Sequence, residues 1–114
     1  MKLKELAQQL ALEVCSAAGK LDVEVTGGYT SDLLSYVMAK AKAGNVWITV
    51  QSHPNIVAVA SLLNLAGIVI TQNGKPDAVT VEKANQEGVP ILTTPLTTYQ
   101  VVGKLFELGV RGVD

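Results

Sequence analysis

A chain of 114 residues with 48% hydrophobic content suffices for one well-buried domain, residues 1–114, and is too short for two. Nine Lys+Arg against ten Asp+Glu leave a net charge of -1 and no basic cluster, so no nucleic-acid partner is expected. Charged residues make up only 17%, below the roughly 25% usual for soluble domains, which points to an apolar surface covered by a second copy, as a homodimer, or by another chain.

The lone Cys15 has no internal disulfide partner and suits a reducing, cytoplasmic location, where it reads as a small buried apolar side chain. Gln8 and Gln9 interrupt what would have to be the apolar part of a signal peptide, so no export signal is expected. The most apolar segment, 56–70, contains Ser61, Asn64 and Gly67; it reads as a buried helix followed by a strand rather than a membrane span.

Leu3, Leu6, Ala7 and Leu10 recur at helical spacing and predict a short amphipathic helix. Residues 12–16 fit either the end of that helix or a short strand, with Val14 and Cys15 leaning to strand. From 21 to 25 the pattern alternates strictly, Leu21, Val23 and Val25 against Asp22 and Glu24, which predicts an edge strand with one wet face. Gly27 and Gly28 then supply a sharp exit, and Ser31 or Asp32 caps a helix whose buried stripe is Leu33, Leu34, Val37, Met38 and Ala41, stopped by Gly44.

After Gly44 a strand-helix unit recurs three times: strands over 46–50, 68–71 and 91–94, each followed by a helix. The first helix, 55–65, is closed by Gly67; the second starts at Pro76 and Asp77 and ends at Gly88; the third carries Thr97 and Gln100 at capping-box spacing and ends at Gly109. Apolar strands separated by helices predict a three-layer α/β fold, a mostly parallel sheet of four to six strands flanked by helices.

In such a sheet ligands bind in the crevice at the carboxyl ends of the strands. The polar residues expected there include Thr26, Gly27, Gly28, Ser31, Asp32, Gln51, Ser52, His53, Asn55, Thr94 and Thr97. Helix N-termini at these turns favour an anion such as a phosphate or carboxylate, although the same residue types are ordinary helix caps. His53 and Asp32 are the candidate proton-transfer groups of an alternative reading as a small phosphotransfer or hydrolytic enzyme. No NTPase, dinucleotide or hydrolase motif is present, no metal site or cofactor is expected, and Tyr29, Trp47 and Tyr99 read as packing or interface residues.

The stretch Thr26-Gly27-Gly28-Tyr29-Thr30-Ser31-Asp32-Leu33-Leu34-Ser35, followed by Val46-Trp47-Ile48-Thr49-Val50-Gln51-Ser52-His53-Pro54-Asn55-Ile56-Val57-Ala58-Val59-Ala60 and by Leu96-Thr97-Thr98-Tyr99, resembles the DRTGG domain family over nearly the whole chain. Of the naming pentad only Thr26-Gly27-Gly28 stands here in sequence, preceded by Glu24 and Val25, with the nearest aspartate at Asp22. The resemblance implies an α/β fold similar to the N-terminal domain of HPr kinase. It also implies a module that elsewhere accompanies catalytic domains, in phosphotransacetylases and between the CBS domains of some pyrophosphatases. The family has no established activity of its own, so the implied role is regulatory: binding a metabolite, a partner enzyme or a second copy of itself.

Overall fold

Asn45–Thr49 (β3) is buried at every residue, because it lies inside a sheet and presents Val46 and Ile48 to one face and Trp47 to the other. This alternation between two covered faces is why the sequence there is a continuous apolar run. The computed structural model describes residues 1–113. Its sheet has five strands: Glu13–Val14 (β1), Gly27–Thr30 (β2), β3, Gly67–Ile70 (β4) and Ile91–Thr93 (β5), in the order β1-β5-β4-β3-β2. Strands β2 to β5 are parallel, and β1 is antiparallel to β5.

Helices Leu34–Lys40 (α2), Asn55–Leu63 (α3) and Ala78–Glu87 (α4) cover one face, where Val37, Ile56, Val57 and Ala84 meet Trp47, Ile68, Ile70 and Ile91. Helices Leu3–Gln9 (α1) and Thr98–Glu107 (α5) cover the other, where Leu3, Leu6, Val101 and Leu105 meet Val46, Ile48, Val69 and Leu92. The expected three-layer architecture is therefore present. Full burial of each Leu, Ile or Val contributes roughly 1.5–3 kcal/mol, so both layers are needed to hold the sheet.

Residues 21–25 are not a sheet strand. Their carbonyls serve α1: Leu3 N donates to Val23 O and Lys4 N to Leu21 O, each at 2.9 Å. These are first-turn amides with no acceptor inside their own helix. Once Leu21 and Val23 supply it, the stretch runs beside α1 with a single antiparallel bridge, Lys2 to Glu24. Its alternation still has meaning, since Leu21 and Val25 pack on the core while Asp22 pairs with Lys4 at 3.2 Å and Lys2 at 3.4 Å. The antiparallel edge is β1 instead.

The double glycine is likewise a strand rather than a turn, and neither Gly27 nor Gly28 has a positive φ. A Cβ on Gly27 would lie 2.9 Å from Arg111 O, so the residue admits a crossing backbone. Helix α2 starts without a side-chain cap at Leu33 and stops at Lys40; Leu33 and Met38 are exposed, not part of its buried stripe. Gly44 sits in the following turn at φ +83. Helix α3 ends at Asn64, left-handed at φ 56, and Gly67 opens β4. Among the described residues no helix is long and apolar enough to cross a membrane.

Candidate ligand-binding site at the strand ends

The β-to-α connections after β2, β3, β4 and β5 all lie at one end of the parallel sheet. Hydrogen bonds join them sideways. Asp32 Oδ1 accepts from Thr49 Oγ1 at 2.8 Å and from Val50 N at 3.0 Å, which ties the loop after β2 to the end of β3. Asp32 thus stitches two strands and does not cap α2; Ser31 Oγ accepts from Leu33 N at 3.1 Å. Thr71 and Thr98 hydroxyls meet at 2.7 Å, joining the end of β4 to the first residue of α5.

Thr97 Oγ1 accepts from Gln100 N at 3.2 Å, and the Gln100 side chain reciprocates to Thr97 N at 2.9 Å, the capping box expected from the spacing. Thr94 Oγ1 receives Leu96 N at 3.2 Å. Thr49, Thr71, Thr80 and Thr94 are buried, and among the described residues no buried side-chain nitrogen or oxygen lacks a partner. The buried hydroxyls therefore hold the loops together and have little capacity left for a ligand.

What faces outward is the segment before α3. His53 and Asn55 are exposed, and Gln51 and Ser52 half-exposed. The Ser52 carbonyl accepts from Thr80 Oγ1 at 2.7 Å and Asp77 N at 3.2 Å, so the loop is pinned from beneath by the start of α4. His53 Nδ1 stands 3.3 Å from Asp77 Oδ2 on the surface. Three helices of nine or ten residues, α3, α4 and α5, begin at this end and turn the positive ends of their dipoles to it, although in α3 Ile56 N and Val57 N already donate to His53 O and Pro54 O, at 3.2 and 3.1 Å. Asp32 and Asp77 are the carboxylates beside them, and among the described residues no cluster of three or more His, Cys, Asp or Glu stands ready for a metal.

The structure therefore gathers Ser31, Asp32, Gln51, Ser52, His53, Asn55, Thr94 and Thr97 at the carboxyl ends. Thr26, Gly27 and Gly28 lie at the amino end instead, because Gly27 pairs in register with Asn45, the first residue of β3. Four residues of strand, ~13 Å, separate the two groups. At the amino end Thr26 Oγ1 donates to Ala43 O at 2.9 Å and accepts from Asn45 Nδ2 at 3.2 Å, while Asn45 Oδ1 accepts from Lys42 N at 2.8 Å. A recess of about 410 Å³ there is bounded by Thr26, Gly27, Lys42 and Asn45.

One concavity has no counterpart among the polar residues singled out in the sequence. A mostly apolar groove of about 260 Å³ runs between α5 and β2, lined by Gly28, Thr30, Ile48, Val102, Phe106 and Val110. The Arg111 guanidinium lies 4.4 Å from the Phe106 ring centroid at its rim. The available signal was a second apolar series on α5, Tyr99, Val102 and Phe106, beside the buried Val101 and Leu105.

A protein-family model described as the DRTGG domain matches residues 5–108. No curated protein matches the chain. Among solved structures it is similar to the CBS and DRTGG domains of the regulatory region of Clostridium perfringens pyrophosphatase, complexed with the activator diadenosine tetraphosphate. The TM-score is 0.75 at 15% identity, over 91% of this chain and 45% of that one. The likeness is one of fold, and this chain spans under half the length of that structure.

Proposed function

This chain belongs to the DRTGG domain family, and on that premise we propose that it is a cytoplasmic, non-catalytic regulatory module, acting as one unit over residues 1–114. It pairs with a second copy of itself and binds an anionic metabolite or nucleotide at the carboxyl ends of its strands. The observation that carries this reading is the outward-facing Gln51-Ser52-His53-Asn55 group at the start of α3, on a loop pinned by Thr80 and Asp77. An anion placed there meets the positive end of the α3 dipole, the exposed Asn55 side-chain amide and the His53 ring, groups that favour such a charge. That a regulatory region containing a DRTGG domain was captured with diadenosine tetraphosphate supports a nucleotide as the first ligand to try.

The test is a thermal-shift and calorimetric titration with diadenosine tetraphosphate, ADP, acetyl phosphate and inorganic phosphate. A ligand present at a hundred times its Kd stabilises the folded state by about 2.7 kcal/mol, a plain rise in Tm. Absence of any shift or heat with all four at millimolar concentration sinks the ligand reading.

A second reading, a small phosphotransfer or hydrolytic enzyme, draws on the His53–Asp77 contact, which has the form of a base held by an orienting carboxylate. Asp32 serves it poorly, because both of its donors belong to the scaffold. Under this reading His53→Ala abolishes turnover of a phosphate ester or anhydride; turnover left intact removes His53 from it.

A further inference from the structure

Helix α5 is apolar around more of its circumference than this chain buries. Val101 and Leu105 pack on the sheet, yet Tyr99, Val102 and Phe106 form a second stripe at 89%, 39% and 56% exposure. Gly103 lies within that stripe. A Cβ there would meet nothing within 4 Å, so no neighbour in this chain requires a glycine. In a helix interior glycine is less favourable than nearly every other residue, which leaves a close approach from outside as its physical use.

The stripe borders the groove over β2. That strand packs Tyr29 against the α2-side core, and Gly28, Tyr29 and Thr30 line the groove beside Ile48, with no large β2 side chain filling it. A Cβ on Gly28 would stand 3.5 Å from Val110 Cγ1, an ordinary contact. Packing within the chain thus permits a side chain at Gly28, and the glycine keeps the floor open.

We propose that this face is an interface between two copies of the chain, related by a two-fold axis beside Gly103, with Tyr99 of each copy seated over the other's groove. The assignment rests on the self-association in the function proposed above and says where it occurs. Antiparallel α5 helices crossing beside Gly103 bring Tyr99 of one level with Phe106 and Glu107 of the other, at the groove mouth.

Three observations select a second copy as occupant. The patch holds both a projecting ring and a hollow, as a self-complementary two-fold contact demands. The sheet edges, the other route to a dimer, offer little: on β2, Gly28 N donates to Arg111 O at 2.8 Å and Gly28 bridges Gly112 in parallel, and the opposite edge, β1, is two residues long. The three exposed side chains offer roughly 350 Å² of apolar area, enough for the centre of an interface of ~800 Å² per partner.

Sedimentation of the intact protein across the micromolar range, with Tyr99→Glu and Phe106→Glu beside it, tests the assignment. The native chain is expected to dimerise. Each glutamate is expected to weaken the dimer about tenfold or more, because it carries a charge into an apolar contact and, at 106, removes the ring that Arg111 covers, with the circular dichroism unchanged. In a Cys15→Ser background, Gly103→Cys is expected to link to its own copy on mild oxidation, which only a residue beside the axis achieves.

A dimer that both glutamates leave intact, or that gives no such cross-link, overturns this face while self-association stands. A strict monomer overturns both. The ligand-induced Tm shift is read separately at the strand ends, so its failure leaves the interface result unaffected.

Discussion

The two ends of the sheet are both rich in polar residues and are built for different ends. At the amino end, Thr26, Asn45 and Gly44 close on one another, and their hydrogen-bonding capacity goes into the turn between α2 and β3. At the carboxyl end a similar layer of buried threonines fastens the loops, and above it His53 and Asn55 remain exposed. Polar composition alone therefore does not distinguish a latch from a site; what distinguishes them is whether donors remain after the scaffold's acceptors are satisfied.

Breaking the latch should give the largest effect. Gly44→Ala places a Cβ 2.6 Å from Thr26 Cγ2 at a backbone angle of φ +83. Left-handed backbone costs a non-glycine residue roughly 1–2 kcal/mol before any clash, so a loss of about 3 kcal/mol or more in urea unfolding is expected. Retained stability would show that the turn relaxes freely.

At the other end, Asp32→Ala leaves Val50 N without its acceptor and Thr49 Oγ1 with only the longer bond to Gln51 Oε1 at 3.4 Å. The expected loss is about 1–3 kcal/mol, with Asp32→Asn recovering much of it because its carbonyl oxygen can still accept. If alanine costs no more than asparagine, Asp32 is not the stitch between β2 and β3.

His53→Ala and Asn55→Ala should separate the site from the scaffold. Both side chains are exposed, so unfolding stability should stay within about 0.5 kcal/mol of the native chain while the ligand-induced Tm rise disappears. Equal ligand response in the variants would move the site elsewhere.

The smallest effect concerns pH. Asp22 is held below its ordinary pKa first by a hydrogen bond from Lys4 and then by the charge of Lys2. A depressed carboxylate contributes stability that is present above its unfolded pKa and fades as pH falls through the lower folded value. Stability should therefore decline slightly below about pH 4. Asp22→Asn should flatten that part of the acid limb, and an unchanged acid profile would show the pair to be inconsequential, as exposed pairs often are.

The strand-helix alternation after residue 44, the central β3, the left-handed stop at Gly88 and the Thr97–Gln100 box were legible in sequence because each rests on local rules: periodicity, backbone freedom and capping. The first third was less legible because its backbone partners are distant. Residues 21–25 have the alternation of a strand, yet the amides they serve belong to a helix some twenty positions earlier.

The same reason governs the double glycine. Two adjacent glycines are written identically whether they turn the chain or let another backbone pass, and local sequence favours the turn. Tertiary structure decided otherwise by bringing Arg111, more than eighty positions away, against Gly27. The residues by themselves determined the family, the alternating layers and the polar strand ends. Only the folded chain determined that Thr26-Gly27-Gly28 sits at the opposite end from His53, because strand register is set by contacts distant in sequence that no local pattern records.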